Sequence, residues 1–128
     1  MKTGALVLGL IVLIAPSAVA AEWVVVADDG AKQVLVDKES IQQWANGTAA
    51  FNQRVRSKPK TPALTPQGTT RIDSRIEASC YTKLYRVLNY TAYARTGKVV
   101  ERSRVASDNK VAAYNSPDYI AIDAVCGQ

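Results

Sequence analysis

The stretch Ser74-Arg75-Ile76-Glu77-Ala78-Ser79-Cys80-Tyr81-Thr82-Lys83-Leu84-Tyr85 decides the fold class. Ile76, Ala78, Cys80, Thr82 and Leu84 fall on one side of it, with Leu88 following beyond the interruption at Arg86. Arg75, Glu77, Ser79, Tyr81, Lys83 and Tyr85 fall on the other. Successive side chains of a strand point to opposite faces, so this period of two predicts a long strand with one face in a core. Cys80 lies among the core-facing positions.

Downstream, Tyr90 to Arg95 stays extended, Thr96-Gly97 supplies a turn, and Lys98 to Val105 reads as a partner strand. Ser107-Asp108-Asn109 turns the chain again before a short run at Val111 to Tyr114. The period then changes. Ser116 is a good N-cap and Pro117 suits a first helical position. Tyr119, Ile120, Ala124 and Val125 are expected to form an apolar stripe, and Gly127 is a stop signal.

Upstream, Thr48 to Arg56 alternates, with Ala49, Phe51, Gln53 and Val55 on one face and Asn52, Arg54 and Arg56 on the other. Residues 57–70 hold Pro59, Pro62, Pro66 and Gly68 among small polar residues and read as a loop. Trp23 to Val26 and Gln33 to Val36 flank Asp28-Asp29-Gly30, which predicts an N-terminal hairpin. Asp37 can cap a short helical turn, Ile41 and Trp44 are expected to point at the sheet, and Asn46-Gly47 is a turn. The class is α+β: a single small domain, a meandering antiparallel sheet with a C-terminal helix.

The N-terminus sets the expected compartment. Lys2 is followed by an apolar run from Ala5 to Ile14, Pro16 and the small-residue triplet Ala18-Val19-Ala20. That is the pattern of a signal peptide over 1–20, cut after Ala20, leaving the domain 21–128. The expected location is the periplasm, the cell surface or the medium. In an oxidising compartment the two cysteines of the chain, Cys80 and Cys126, are expected to form a disulfide. It would join the helix to the central strand and stabilise a small fold by about 4 kcal/mol.

The inventory excludes most catalytic chemistry. The sequence has no His, hence no Ser-His-Asp triad, no Cys-His pair and no His-based zinc site. Phosphate loops and dinucleotide-binding glycine motifs are missing. We expect no cofactor, no metal and no catalytic residues; a hydrolase built on paired carboxylates is the outlying alternative. The formal net charge is +5 at pH 7, a mild excess that fits attraction to anionic envelope, matrix or acidic protein surfaces rather than nucleic acid. Between Ala45 and Arg71 there are five basic residues and no acidic one. Arg54, Arg56, Lys58 and Lys60 are therefore the candidate partner-binding residues, weighed against a solvated edge that merely discourages strand pairing. A homodimer stays open.

Several segments, in order, resemble the surface-adhesin protein E family of Gram-negative bacteria. They are Val34-Leu35-Val36-Asp37-Lys38-Glu39-Ser40-Ile41, the Cys80 strand with Tyr85-Arg86-Val87, Tyr93 leading into Thr96-Gly97-Lys98-Val99-Val100, and Ser116-Pro117 opening a helix that ends in Val125-Cys126. The resemblance implies an antiparallel sheet with a C-terminal helix held by the Cys80–Cys126 disulfide. It also implies surface exposure and binding of host matrix or serum proteins. Unlike the lipoprotein that names the family, this chain has no Cys near the expected cut. The reading is thus a non-enzymatic exported binding module, with a periplasmic enzyme inhibitor or envelope accessory protein as the alternative.

Overall fold

A computed structural model describes residues 20–127. The signal-peptide reading concerns residues that lie, all but Ala20, outside the described ones. The chain opens with the expected hairpin, β1 (Trp23–Asp28) and β2 (Lys32–Asp37). Its turn is built by two aspartates: Asp28 accepts from Gly30 N, Asp29 accepts from Ala31 N and Lys32 N, and Gly30 takes φ 89°. Asp37 then accepts from Glu39 N and caps a 3-10 turn over Lys38–Ser40.

The chain continues through β3 (Gln42–Gln43), β4 (Thr48–Ser57), β5 (Thr69–Ser79), β6 (Leu84–Ala94), β7 (Val99–Ser103) and β8 (Lys110–Val111) to α1 (Pro117–Cys126). The strands form an antiparallel sheet in the order β1-β2-β4-β5-β6-β7. Gln42 and Gln43 of β3 pair with Ala50 and Ala49, continuing along β4 where β2 leaves off. Likewise β8 pairs with the first residues of β6, and β7 with its later part. β1 and β7 are the outer strands, and each carries an irregular register: between Val25 and Ala27, and opposite Ala92 and Tyr93.

The long strand read from Ser74 is two strands. The alternation runs unbroken through Cys80 and Thr82, yet the chain reverses there. Ser79 Oγ accepts from Tyr81 N and Thr82 N, Lys83 N donates to Ser79 O, and Lys83 takes the left-handed φ of 60°. A serine hydroxyl that bonds the next backbone N–H groups competes with the strand ladder and turns the chain. The reversal changes which side chains face inward: Leu84 is exposed, and Tyr85 and Val87 pack on the core. β5 also starts at Thr69, inside the segment read as loop.

α1 is capped by the Ser116 hydroxyl, which accepts from Tyr119 N, and ends at Gly127, whose N–H returns to Asp123 O. Its buried stripe is Ala121, Ile122 and Val125; of the expected stripe Val125 is buried and Tyr119 packs beside the core, while Ile120 is exposed. The shift follows from where the helix sits: it lies on β1, β2 and β4 and meets Val34, Val36 and Phe51. Phe51 and Ala49 are fully buried between helix and sheet, with Ile76 and Ala78 beside them. Ile41 joins this core as expected; Trp44 stays exposed. Cys80 and Cys126 are joined, with Cα atoms 5.7 Å apart. Gln43 Nε2 donates to Val125 O at 2.8 Å, and Tyr85 OH donates to Asp118 at 2.9 Å, so the helix is held at both ends.

The open face of the sheet as a candidate binding surface

One face of the sheet is covered by α1; the register fixes what the other presents. Leu35 pairs with Arg54, Arg54 with Asp73, Asp73 with Thr91, and Thr91 with Arg102. One pleat along, Gln33, Arg56, Arg71 and Tyr93 stand side by side, and in the other direction Asn52, Arg75 and Asn89 do. Glu77 and Arg86 complete the set. Directly paired residues share a face, so Arg54, Arg56, Arg71, Arg75, Arg86 and Arg102 all stand on the open one, with Asp73, Glu77 and, at the hairpin end beside Gln33, Asp28 among its acids.

The guanidiniums are held in two different ways. Arg54 binds Asp73 through Nε and Nη2 at 2.8 and 3.1 Å and lies 4.2 Å above the Trp23 ring. Arg86 pairs with Glu77 at 3.0 Å. These charges are neutralised locally. Arg71 shares Asp73 more loosely, at 3.6 Å, and lies 4.1 Å over the Tyr93 ring. Its Nε is buried without a hydrogen-bond partner. Arg56 and Arg75 are held by neutral acceptors alone. Arg56 donates twice to Gln33 Oε1 at 2.9–3.0 Å. Arg75 donates to Ser40 O, Asn52 Oδ1 and Gln42 Oε1 at 3.0–3.1 Å. Among the described residues, Arg56, Arg75 and Arg102 have no ion pair.

Of the four basic residues singled out in the sequence, the structure brings Arg54 and Arg56 together on this face. Lys58 turns to the hairpin and binds Asp28 at 2.7 Å. With Gln33 and the Gly30 N–H, that contact pulls the Asp28 carboxyl down to about 2, Lys58 contributing most. Lys60 is exposed in the following loop with φ 67°. The sequence reading missed Arg71, Arg75 and Arg102 as members of the patch. Their signal was parity: in β5 the inward set is Ile72, Ser74 and Ile76, which places Arg71 and Arg75 outward beside Arg56 and Asn52.

On the helix side, α1 stops short of β7 and of the ends of β5 and β6 that carry Ile72 and Ala92. An apolar hollow of about 520 Å³ lies there, floored by Ile72, Val87 and Ala92 and rimmed by Val105. Its most acidic wall is already engaged: Tyr90 OH donates to Glu101, which holds the phenol above its ordinary pKa. Among the described residues no group of three or more His, Cys, Asp or Glu could hold a metal, and no helix is long and apolar enough to cross a membrane.

A small antiparallel sheet with one face sealed by a disulfide-anchored C-terminal helix and the other left open is a scaffold for surface contact. The family model of surface-adhesin protein E matches residues 23–127, and the chain belongs to that family. No curated protein and no solved structure matches the chain. Membership points to an adhesin-like, exported surface protein.

Proposed function

We propose that this chain is an exported, non-enzymatic binding module that holds a macromolecular partner, a host matrix or serum protein or an envelope component, against the basic face of its sheet. One observation carries the reading: the face not covered by α1 is crowded with arginines, and Arg56, Arg75 and Arg102 have no carboxylate to neutralise them. A fixed positive surface draws in an anionic partner and speeds its encounter. Arg54 and Arg56 belong to that face, and Lys58 and Lys60 extend its charge into the adjacent loop. Export follows the signal-peptide reading, with cleavage after Ala20. A periplasmic inhibitor would use the same surface on an enzyme, so cell fractionation separates the two.

The test replaces Arg54, Arg56, Lys58 and Lys60 together by Gln. Exposed charges count for under about 1 kcal/mol each, so melting should fall only modestly, most of it from the Arg54–Asp73 pair. Attachment to matrix proteins, serum proteins or envelope should weaken, most at low salt, where the Debye length is longest. A variant that folds and attaches as well as the parent at low salt would leave this surface without the proposed role.

A further inference from the structure

We propose that the open face binds a linear anionic polysaccharide, laid across the strands so that Arg56, Arg71 and Arg102 receive its sulfate or carboxylate groups, with Arg75 beside them. This rests on the reading of the chain as a surface binding module and names its partner's chemistry.

The charge pattern comes first. Arg56 and Arg71 are directly opposed on β4 and β5. Like charges in that position destabilise a sheet. Among the described residues no carboxylate contacts Arg56 directly; its partner is the neutral Gln33 amide, whose Nε2 bonds Asp28, and Asp73 is shared between Arg54 and Arg71. A bound anion would supply the missing counter-charge. Guanidinium forks match sulfate and carboxylate oxygens two at a time, and forks already fixed by neighbours lose little freedom on binding.

The dimensions point to a polymer. Arg56 on β4 and Arg102 on β7 lie three strand spacings apart, roughly 14 Å at the usual spacing, so no single small anion reaches both. The neutral residues between them point to a sugar. Asn52, Asn89 and Thr91 stand among the arginines, offering amides and a hydroxyl to a chain rich in hydroxyl groups.

Two other polyanions fit less well. Single-stranded nucleic acid is held by bases stacked on aromatic rings, and here Trp23 and Tyr93 are covered by Arg54 and Arg71. The fully buried centre of a protein contact is more apolar than its rim and depleted in charged residues. On this face the exposed apolar residues are Val25 and Val99, on the outermost strands β1 and β7, and Leu84 and Val111 at the β6–β8 end, none of them directly paired with Arg56, Arg71 or Arg75.

The experiment measures binding of the folded protein to immobilised heparin (sulfated), hyaluronan (carboxylated) and dextran (neutral), with DNA and polyglutamate in parallel. We expect retention on heparin, on hyaluronan, or on both, none on dextran, and loss with rising salt. The Arg56→Gln/Arg71→Gln/Arg102→Gln variant should bind roughly tenfold more weakly. If it folds poorly, Arg56→Gln/Arg102→Gln spares the Tyr93 contact and should still lose several-fold. The Lys38→Gln/Lys110→Gln variant, whose lysines lie on the helix side of the sheet, should bind like the parent. Equal retention by DNA or polyglutamate, or equal loss in the lysine variant, overturns the proposal. Failure on every polysaccharide by a protein that still attaches to matrix proteins overturns it too, and leaves the broader binding function standing.

Discussion

The same strands serve two faces under opposite rules. Along β4, Ala49, Phe51 and Gln53 disappear beneath or beside α1, while Asn52, Arg54 and Arg56 face outward between them. On the helix side, contacts are made mostly by shape between apolar side chains, with Gln53 buried beside them and two hydrogen bonds, from Gln43 and Tyr85, holding the helix. On the open side, contacts are ion pairs, amides and rings under guanidiniums, and the charge does not balance. The difference teaches that stability resides mostly on one face and recognition on the other, so each can be altered with little disturbance of its opposite.

The largest expected effect tests that division directly. Phe51 is fully buried between sheet and helix, so Phe51→Ala should cost about 3–5 kcal/mol in urea unfolding. Arg56→Ala, five residues along the same strand, should fall within about 0.5 kcal/mol of the parent. If the arginine change rivals the phenylalanine one, the open face is a second core and the division fails.

The staple comes next. Cys126→Ser should lower stability by about 2–5 kcal/mol, because the bond closes a loop with a sequence separation of 46. Polysaccharide or matrix binding by the residual folded fraction should persist, since none of the open-face arginines contacts α1. Lost binding at full folding would show that the helix shapes the opposite face.

The smallest effect concerns pH. Burial pushes the Tyr85 hydroxyl up to about 12, and the neighbouring Asp118 charge adds to it. The fold therefore favours the neutral phenol, while an unfolded tyrosine ionises near pH 10. The stability this contributes is complete below about pH 10 and is lost as pH rises toward 12. Thermal melts in that window should fall less steeply for Tyr85→Phe than for the parent. Parallel slopes would mean that the Tyr85–Asp118 link between sheet and helix carries no stabilising weight.

How far the fold was legible depended on whether a signal was local. The Asp28-Asp29-Gly30 turn, the Asp37 cap, the Ser116-Pro117 helix start and the Gly127 stop were all readable, since each is made by side chains bonding backbone within a few residues. The Ser79–Lys83 reversal was not. Its residues keep the period-two pattern of a strand, and the deciding event is a left-handed lysine, a conformation that Lys does not advertise. The helix stripe was misplaced because its phase depends on which strands lie below it. The binding surface was half legible: Arg54 and Arg56 adjoin in sequence, whereas Arg71, Arg75 and Arg102 reach them only through strand register.

The disulfide also sets a path for mechanical load. A pull on the two ends of the folded chain enters at Gly127, crosses the sulfur bridge to Cys80, and leaves through β5 toward the N-terminus. The segment from Tyr81 to Val125, with β6, β7, β8 and most of α1, lies inside the covalent loop and cannot be drawn out. Tension can unravel only β1 to β5. Roughly the C-terminal half of the domain thereby carries none of the tension, and the length that the chain can gain under load is limited to the segment before Cys80.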